Sequence, residues 1–257
     1  MAVRIDHSKY LDSRWYNGSG IYGRVVLIER PDIHFRTWGV FVTTPEVTER
    51  GTTVRIDATV TNATDRDENV GLTIEVRDSD DSEIASGRVQ ARLTRGTDTH
   101  LRQELAIANP ALWSPESPRL YSLVATLTRD GSPLDVVEIP FGIRSFRFDP
   151  GEGFFLNGRH TTLKGVCLHH DAGALGAAVP RDVWARRLRI LKEAGTNAIR
   201  LSHNPAPFAS TCKPIASRGR RSSRSNPGDS SRGPSACVST EPRLPYQTSH
   251  RFFGRIG

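Results

Sequence analysis

The chain has 257 residues, 37% of them hydrophobic, enough for one large or two ordinary domains, and it contains no apolar run long enough to span a bilayer. A formal charge of +7 would ordinarily point to nucleic acid or an acidic membrane. That charge sits in residues 211–257, where nine Lys or Arg face two acids, so the remainder is close to neutral and neither specific nucleic acid nor membrane is expected as its partner.

The start, Met1 to His7, has no apolar core followed by small residues, so no export signal is read there. Cys167, Cys212 and Cys237 are odd in number and have no paired spacing. They suggest neither a disulfide framework nor a zinc site, and a reducing, cytoplasmic setting is the expectation.

From Trp38 to Ile143 short β-type runs alternate apolar and polar residues between Gly, Pro, Asn and Asp clusters. Val54, Ile56, Ala58 and Val60 share one face of a strand; Leu72, Ile74 and Val76, and then Leu123, Ala125 and Leu127, repeat the arrangement. Asp78 to Ser82 is a polar turn. About seven such strands predict an immunoglobulin-like β-sandwich over 38–143.

The pattern changes after Arg144. Phe146 to Phe148 and Phe154 to Leu156 flank the turn residues Asp149 to Gly153, and Asn157-Gly158 is the preferred pair for a type I′ turn, so two small hairpins are predicted. A strand over Thr161–Leu168 follows, then a helix from about Arg181 to Ala194 with Trp184, Leu188 and Leu191 as its apolar stripe. Asp182 favours the first helical turn and Gly195 is placed to end the helix. A second strand, Thr196–Leu201, completes a β-α-β unit. Such units are right-handed with parallel strands, so His169-His170-Asp171 and Ser202-His203-Asn204 converge at one end, which holds the active site in a TIM barrel.

On these segments the chain resembles glycoside hydrolase family 2, from about residue 11 to residue 208. Ser13 to Tyr22 is similar to the end of the family's sugar-binding jelly-roll domain, and Ala111 to Tyr121 to a hallmark of its central sandwich. Phe155 to Gly158, Lys164 to Val166 with His169-His170-Asp171, and Asn197 to Pro205 resemble the opening of its catalytic barrel. The resemblance implies three segments, 1–37, final strands of the jelly-roll, 38–143, the sandwich, and 144–208, the start of the barrel; composition makes 209–257 a disordered basic tail. The fold class is therefore mostly β with a short α/β part.

The resemblance further implies a retaining hydrolase for β-linked sugars of the β-galactosidase/β-glucuronidase kind, working without a cofactor. Its two carboxyl groups are held about 5–5.5 Å apart, and the acid/base stands in an Asn-Glu pair. This sequence has no Asn-Glu pair, and after Glu193 its only acids are Asp229 and Glu241. No catalytic residue is therefore assigned and a truncated, inactive fragment is expected. Gly23 stands where the family usually has Arg, and Cys167 where it frequently has Asn.

His169 and His203 match the family's barrel-mouth histidines, which contact sugar hydroxyls; His170, Asp171 and Asn204 share their motifs, and Arg14 lies where the first domain reaches toward the sugar. Adjacent side chains seldom converge on one ion, so His169-His170-Asp171 is not read as a metal site. Neighbouring strand residues point apart, so Ser202-His203 is not read as a nucleophile with its base. The tail has the Arg, Ser, Pro and Gly composition that a shifted frame of a GC-rich gene would give. The rival reading is a non-catalytic sandwich module that binds polyanions through this basic arm. With two strands and one helix of a barrel present, Trp184, Leu188 and Leu191 are expected to stay exposed.

Overall fold

The computed structural model describes residues 4–6, 21, 25 and 27–202. These fall into two compact units, one with described residues 25 and 27–162, the other with 4–6, 21 and 163–202.

The first unit is a two-sheet sandwich followed by a small three-stranded sheet. Strands β1 (Ile33–Val47), β2 (Gly51–Asn62) and β5 (Asp98–Ala108) form one sheet in the order β1-β2-β5. Strands β3 (Glu68–Arg77), β4 (Glu83–Leu93), β6 (Tyr121–Arg129) and β7 (Ser132–Phe141) form the other in the order β4-β3-β6-β7, and their pairings are antiparallel. The predicted alternation is what packs: Val54, Ile56, Val60, Ile74, Val76, Leu123, Ala125 and Leu127 are fully buried. Asp135 on β7 ties the sheets at one edge, its Oδ2 accepting the Phe35 N–H of β1 and an Nη1–H of Arg30, each at 2.9 Å.

β1 begins five residues before Trp38, where the alternation becomes legible. Phe35 pairs with Val60 and Val40 with Ala58, so four residues on β1 face Thr59 alone and the inside/outside phase is broken. Within this bulge Trp38 has φ 61° and is 93% exposed. A left-handed backbone at a bulky residue costs on the order of 1–3 kcal/mol and has to be held by its surroundings. Gly39 helps hold it, because a Cβ there would lie 2.7 Å from the Arg36 carbonyl oxygen and 3.0 Å from that of Thr59.

The composition of the segment Ala111 to Tyr121 is explained by its packing. Trp113 is buried, its N–H donates to the Ile143 carbonyl at 2.8 Å, and Arg144 stacks 4.6 Å from its ring centroid. The Tyr121 hydroxyl accepts the Ala111 N–H at 2.8 Å. Both predicted hairpins follow as β8 (Phe146–Asp149), β9 (Gly153–Leu156) and β10 (Arg159–His160). Asn157 and Gly158 have φ 50° and 75°, as a type I′ turn requires. The Asn157 side chain also donates to the Trp113 carbonyl at 3.0 Å, binding the hairpin to the sandwich.

The second unit is the β-α-β: β11 (Gly165–Leu168), α1 (Arg181–Glu193) and β12 (Ala198–Leu201). The helix ends in a Schellman motif, with Thr196 N–H on the Leu191 carbonyl at 3.0 Å, Gly195 N–H on the Lys192 carbonyl at 2.9 Å, and Gly195 at φ 85°. The expected exposure of its stripe is corrected here. Trp184 is 2% exposed and packs with Leu168 and Ile199, while Leu188 and Leu191 are half-buried against that cluster. The sheet face that carries Leu168 and Ile199 packs against this narrow stripe; Ile190, off the stripe, stays exposed.

Two carboxyls at the β2–β3 corner make stability depend on pH. The Arg95 N–H, and then the Arg92 guanidinium, hold the Asp67 carboxyl below its ordinary range; the Arg66 guanidinium, helped by Arg129, does the same for Glu68. A depressed folded-state value stabilises the fold above the unfolded value, near 4, and that contribution is lost as pH falls. The melting temperature is expected to drop as pH falls below about 5, and less steeply in the Asp67→Asn/Glu68→Gln double variant. Parallel melting-temperature curves for the two proteins would contradict this assignment.

Candidate functional site

β11 and β12 pair in parallel and in register, Gly165 with Ala198 through Leu168 with Leu201. Two side-chain and backbone features fix this register. The Asn197 Oδ1 accepts the Lys164 N–H at 2.8 Å while the Asn197 N–H donates to the Lys164 carbonyl at 2.9 Å, closing the entry end. At the exit end the Ser202 N–H donates to the Leu168 carbonyl at 2.9 Å. The residues that leave both strands therefore leave from the same edge.

His169, His170 and Asp171 follow β11 at that edge and all are half-buried. A short 3-10 turn, Gly173–Leu175, comes next, closed by the Ala172 N–H on the Gly176 carbonyl at 3.0 Å. Arg187 of α1 reaches back to this loop: its Nη1–H donates to the Asp171 backbone carbonyl at 2.8 Å while its guanidinium lies 4.7 Å from the Trp184 ring centroid. The helix thus positions the loop through one side chain held against a buried aromatic. Ser202, which follows β12, is buried. His203, Asn204 and Arg14 lie outside the described residues.

Sequence reasoning missed a cross-strand group. Cys167 faces Arg200 in the ladder, and an Nη1–H of Arg200 lies 3.8 Å from the Cys167 sulfur and 3.2 Å from the Ser202 hydroxyl oxygen. The Arg200 hydrogen bond, then that of Ser202, holds the exposed thiol below its usual range. The parallel register is the signal that would have found the pair, because it puts residues 33 apart in sequence side by side. The thiolate is the reacting form. Alkylation of Cys167 at neutral pH, followed by peptide mapping, is expected to be slower in Arg200→Ala than in the parent; equal rates would remove the guanidinium from the account.

Among the described residues no group of three or more His, Cys, Asp or Glu is placed to hold a metal ion, and no helix is long and apolar enough to cross a membrane. What the edge offers is two imidazoles, a carboxylate, a buried hydroxyl and a clamped loop, which can donate to and accept from the hydroxyls of a polar ligand.

The fold is a two-sheet antiparallel sandwich followed by a parallel β-α-β unit. The family description "Glycosyl hydrolases family 2" matches residues 34–144, and "Glycosyl hydrolases family 2, TIM barrel domain" matches residues 150–210. The chain belongs to glycosyl hydrolases family 2.

A β-galactosidase of Bacteroides ovatus is 42% identical over 205 residues, covering 80% of this chain and 24% of that protein. A β-glucuronidase of Bacteroides fragilis is 40% identical over 114 residues, covering 44% of this chain and 16% of its own. A solved β-glycosidase of Bacteroides vulgatus superposes with a TM-score of 0.71 at 36% identity, covering 81% of this chain and 26% of that one. The chain thus spans about a quarter of the length of the relatives it matches over most of its own.

Proposed function

We propose that this chain is part of a retaining β-glycosidase of the β-galactosidase kind, supplying sugar-positioning groups but not the carboxylates that break the glycosidic bond. The observation that carries this reading is the in-register parallel ladder, which leads His169-His170-Asp171 and Ser202 out of one strand edge. In the proposed assignment His169, His170, Asp171, His203 and Asn204 contact the hydroxyls of a β-linked sugar, and Arg14 approaches from the first segment. That segment, 1–37, is the end of a jelly-roll; 38–143 is the sandwich, 144–208 the opening of the barrel, and 209–257 an out-of-frame basic tail. A reducing cytoplasm suits its three unpaired-spacing cysteines.

Retaining hydrolysis needs one carboxylic acid to protonate the leaving oxygen and one carboxylate to attack the anomeric carbon, about 5–5.5 Å apart. Asp171 is the one carboxylate in the three residues after β11, and none occurs between Ala194 and Ser210. A lone carboxylate can do half of this chemistry and complete none of it.

The purified chain is expected to show no hydrolysis of chromogenic β-galactosides, β-glucuronides or β-mannosides above background. Turnover that survives removal of host enzymes and is abolished by His203→Ala would overturn the assignment. Reading the downstream DNA in the other two frames tests the parentage separately, and a barrel continuation with an Asn-Glu pair is the expected find.

A further inference from the structure

We propose that the outer face of the β1-β2-β5 sheet carries a second carbohydrate-binding site, built on Trp38 and separate from the strand edge of the barrel segment. The inference rests on the glycosidase reading only for the choice of ligand class.

Trp38 is 93% exposed, on a strand whose neighbours Ile33 and Phe35 are buried. It occupies a left-handed conformation, φ 61°, in a bulge that Gly39 alone can follow because a Cβ there would collide with two backbone carbonyls. A strained backbone that turns a large aromatic outward is a functional signature rather than a packing one, since relaxing the bulge would let the chain alternate normally.

The groups around the bulge are those that read sugar hydroxyls. Thr59 is the residue that the bulge faces, and its hydroxyl is 3.0 Å from His100 Nδ1. Asp98, opposite Thr61, accepts from the Thr61 hydroxyl at 2.7 Å through Oδ1 and from Arg36 Nη1 at 3.0 Å through Oδ2. Arg36 belongs to the bulge itself. These contacts fix Asp98 and His100 in place, yet a carboxylate has about four acceptor positions and Asp98 uses two of them here. The His100 Nε2 is the other open position. The bulge that carries Trp38 lies opposite Thr59 and is joined to Asp98 through Arg36, and in the proposed site a pyranose stacks its C–H face on the exposed indole while its hydroxyls meet the carboxylate and imidazole. Acceptors outnumber free cations at this place, because Arg36 is already paired with Asp98. That favours a neutral glycan over an anionic one.

The full chain is to be titrated with lactose and with a β-linked galacto-oligosaccharide, following Trp fluorescence and heat. Saturable binding with a Kd on the order of millimolar is expected, as suits one stacked ring with few hydrogen bonds. Trp38→Ala should weaken it at least about tenfold and Trp38→Tyr by less than about threefold, whereas Arg88→Ala, on β4 of the other sheet, should leave it unchanged. Asp98→Asn, which keeps the shape, should weaken binding while leaving the melting temperature within error. No saturable binding by the parent chain, or equal binding by Trp38→Ala, would overturn the proposal. So would loss in His203→Ala with retention in Trp38→Ala, which would assign the sugar to the barrel edge instead. Concentration-dependent self-association that Trp38→Ala abolishes, without sugar binding, would assign the indole to a second copy of the chain and equally overturn it. An absence of hydrolysis bears on none of these outcomes.

Discussion

Burial of every second side chain between the two sheets is the constraint from which the first unit follows. Val54, Ile56 and Val60 on β2 and Leu72, Ile74 and Val76 on β3 are almost wholly removed from water, and a one-residue slip of either strand would turn all of them outward. The register so fixed decides the outer face as well. Arg55 meets Glu104 at 2.6 Å and Asp57 meets Arg102 at 2.7 Å because their strand neighbours are buried, not because the ion pairs select the register. Exposed pairs of this kind contribute about 0–1 kcal/mol each, far below the cost of exposing a row of apolar side chains. Where the inner face needs a polar residue it is fully satisfied: Asn62 donates to the Arg66 and Leu93 carbonyls and accepts from Thr64.

The second unit uses a smaller version of the same logic. Trp184 closes on Leu168 and Ile199, and that single cluster sets the helix against the strands. The Schellman ending of α1 then delivers the chain into β12 within two residues, which leaves little freedom in where Ala198 enters the ladder. The clamped loop after β11 and the buried Ser202 after β12 are consequences of this one packing arrangement. The strand edge is thereby tied to the hydrophobic cluster through the Leu168 carbonyl and the Arg187 side chain.

Much of this was legible in the sequence because its signals are local. Period-two alternation located the sandwich strands, Gly195 ended the helix where expected, and Asn157-Gly158 formed the turn it predicts. What escaped depends on partners remote in sequence. The four-residue bulge at 36–39 breaks the alternation, so Ile33 and Phe35 could not be recognised as core without knowing that they face Asn62 and Val60. The Cys167–Arg200 pair needs the parallel register, and the burial of Trp184 needs the face formed by Leu168 and Ile199. Of the candidate site, the position of His169, His170 and Asp171 at the exit of a parallel strand was legible from the rule that parallel strands share an exit edge. No local pattern indicated that Arg187 would hold their loop.

The proposed division between holding a sugar and cleaving it turns on which groups stand at the strand edge. Hydrogen bonds to sugar hydroxyls that are equally strong in substrate and transition state need neither a proton donor at the leaving oxygen nor a nucleophile at the anomeric carbon. Interactions of that kind lower the free energy of the bound sugar without lowering the barrier to cleavage. The second carboxyl supplies the difference, and its value depends on a separation of about 5 Å from the first within one rigid pocket. A rigid pocket of that size requires several strands to fix each wall. In the proposed reading the single edge formed by β11 and β12 serves orientation, and the cleaving carboxyls stand on other strands of the barrel.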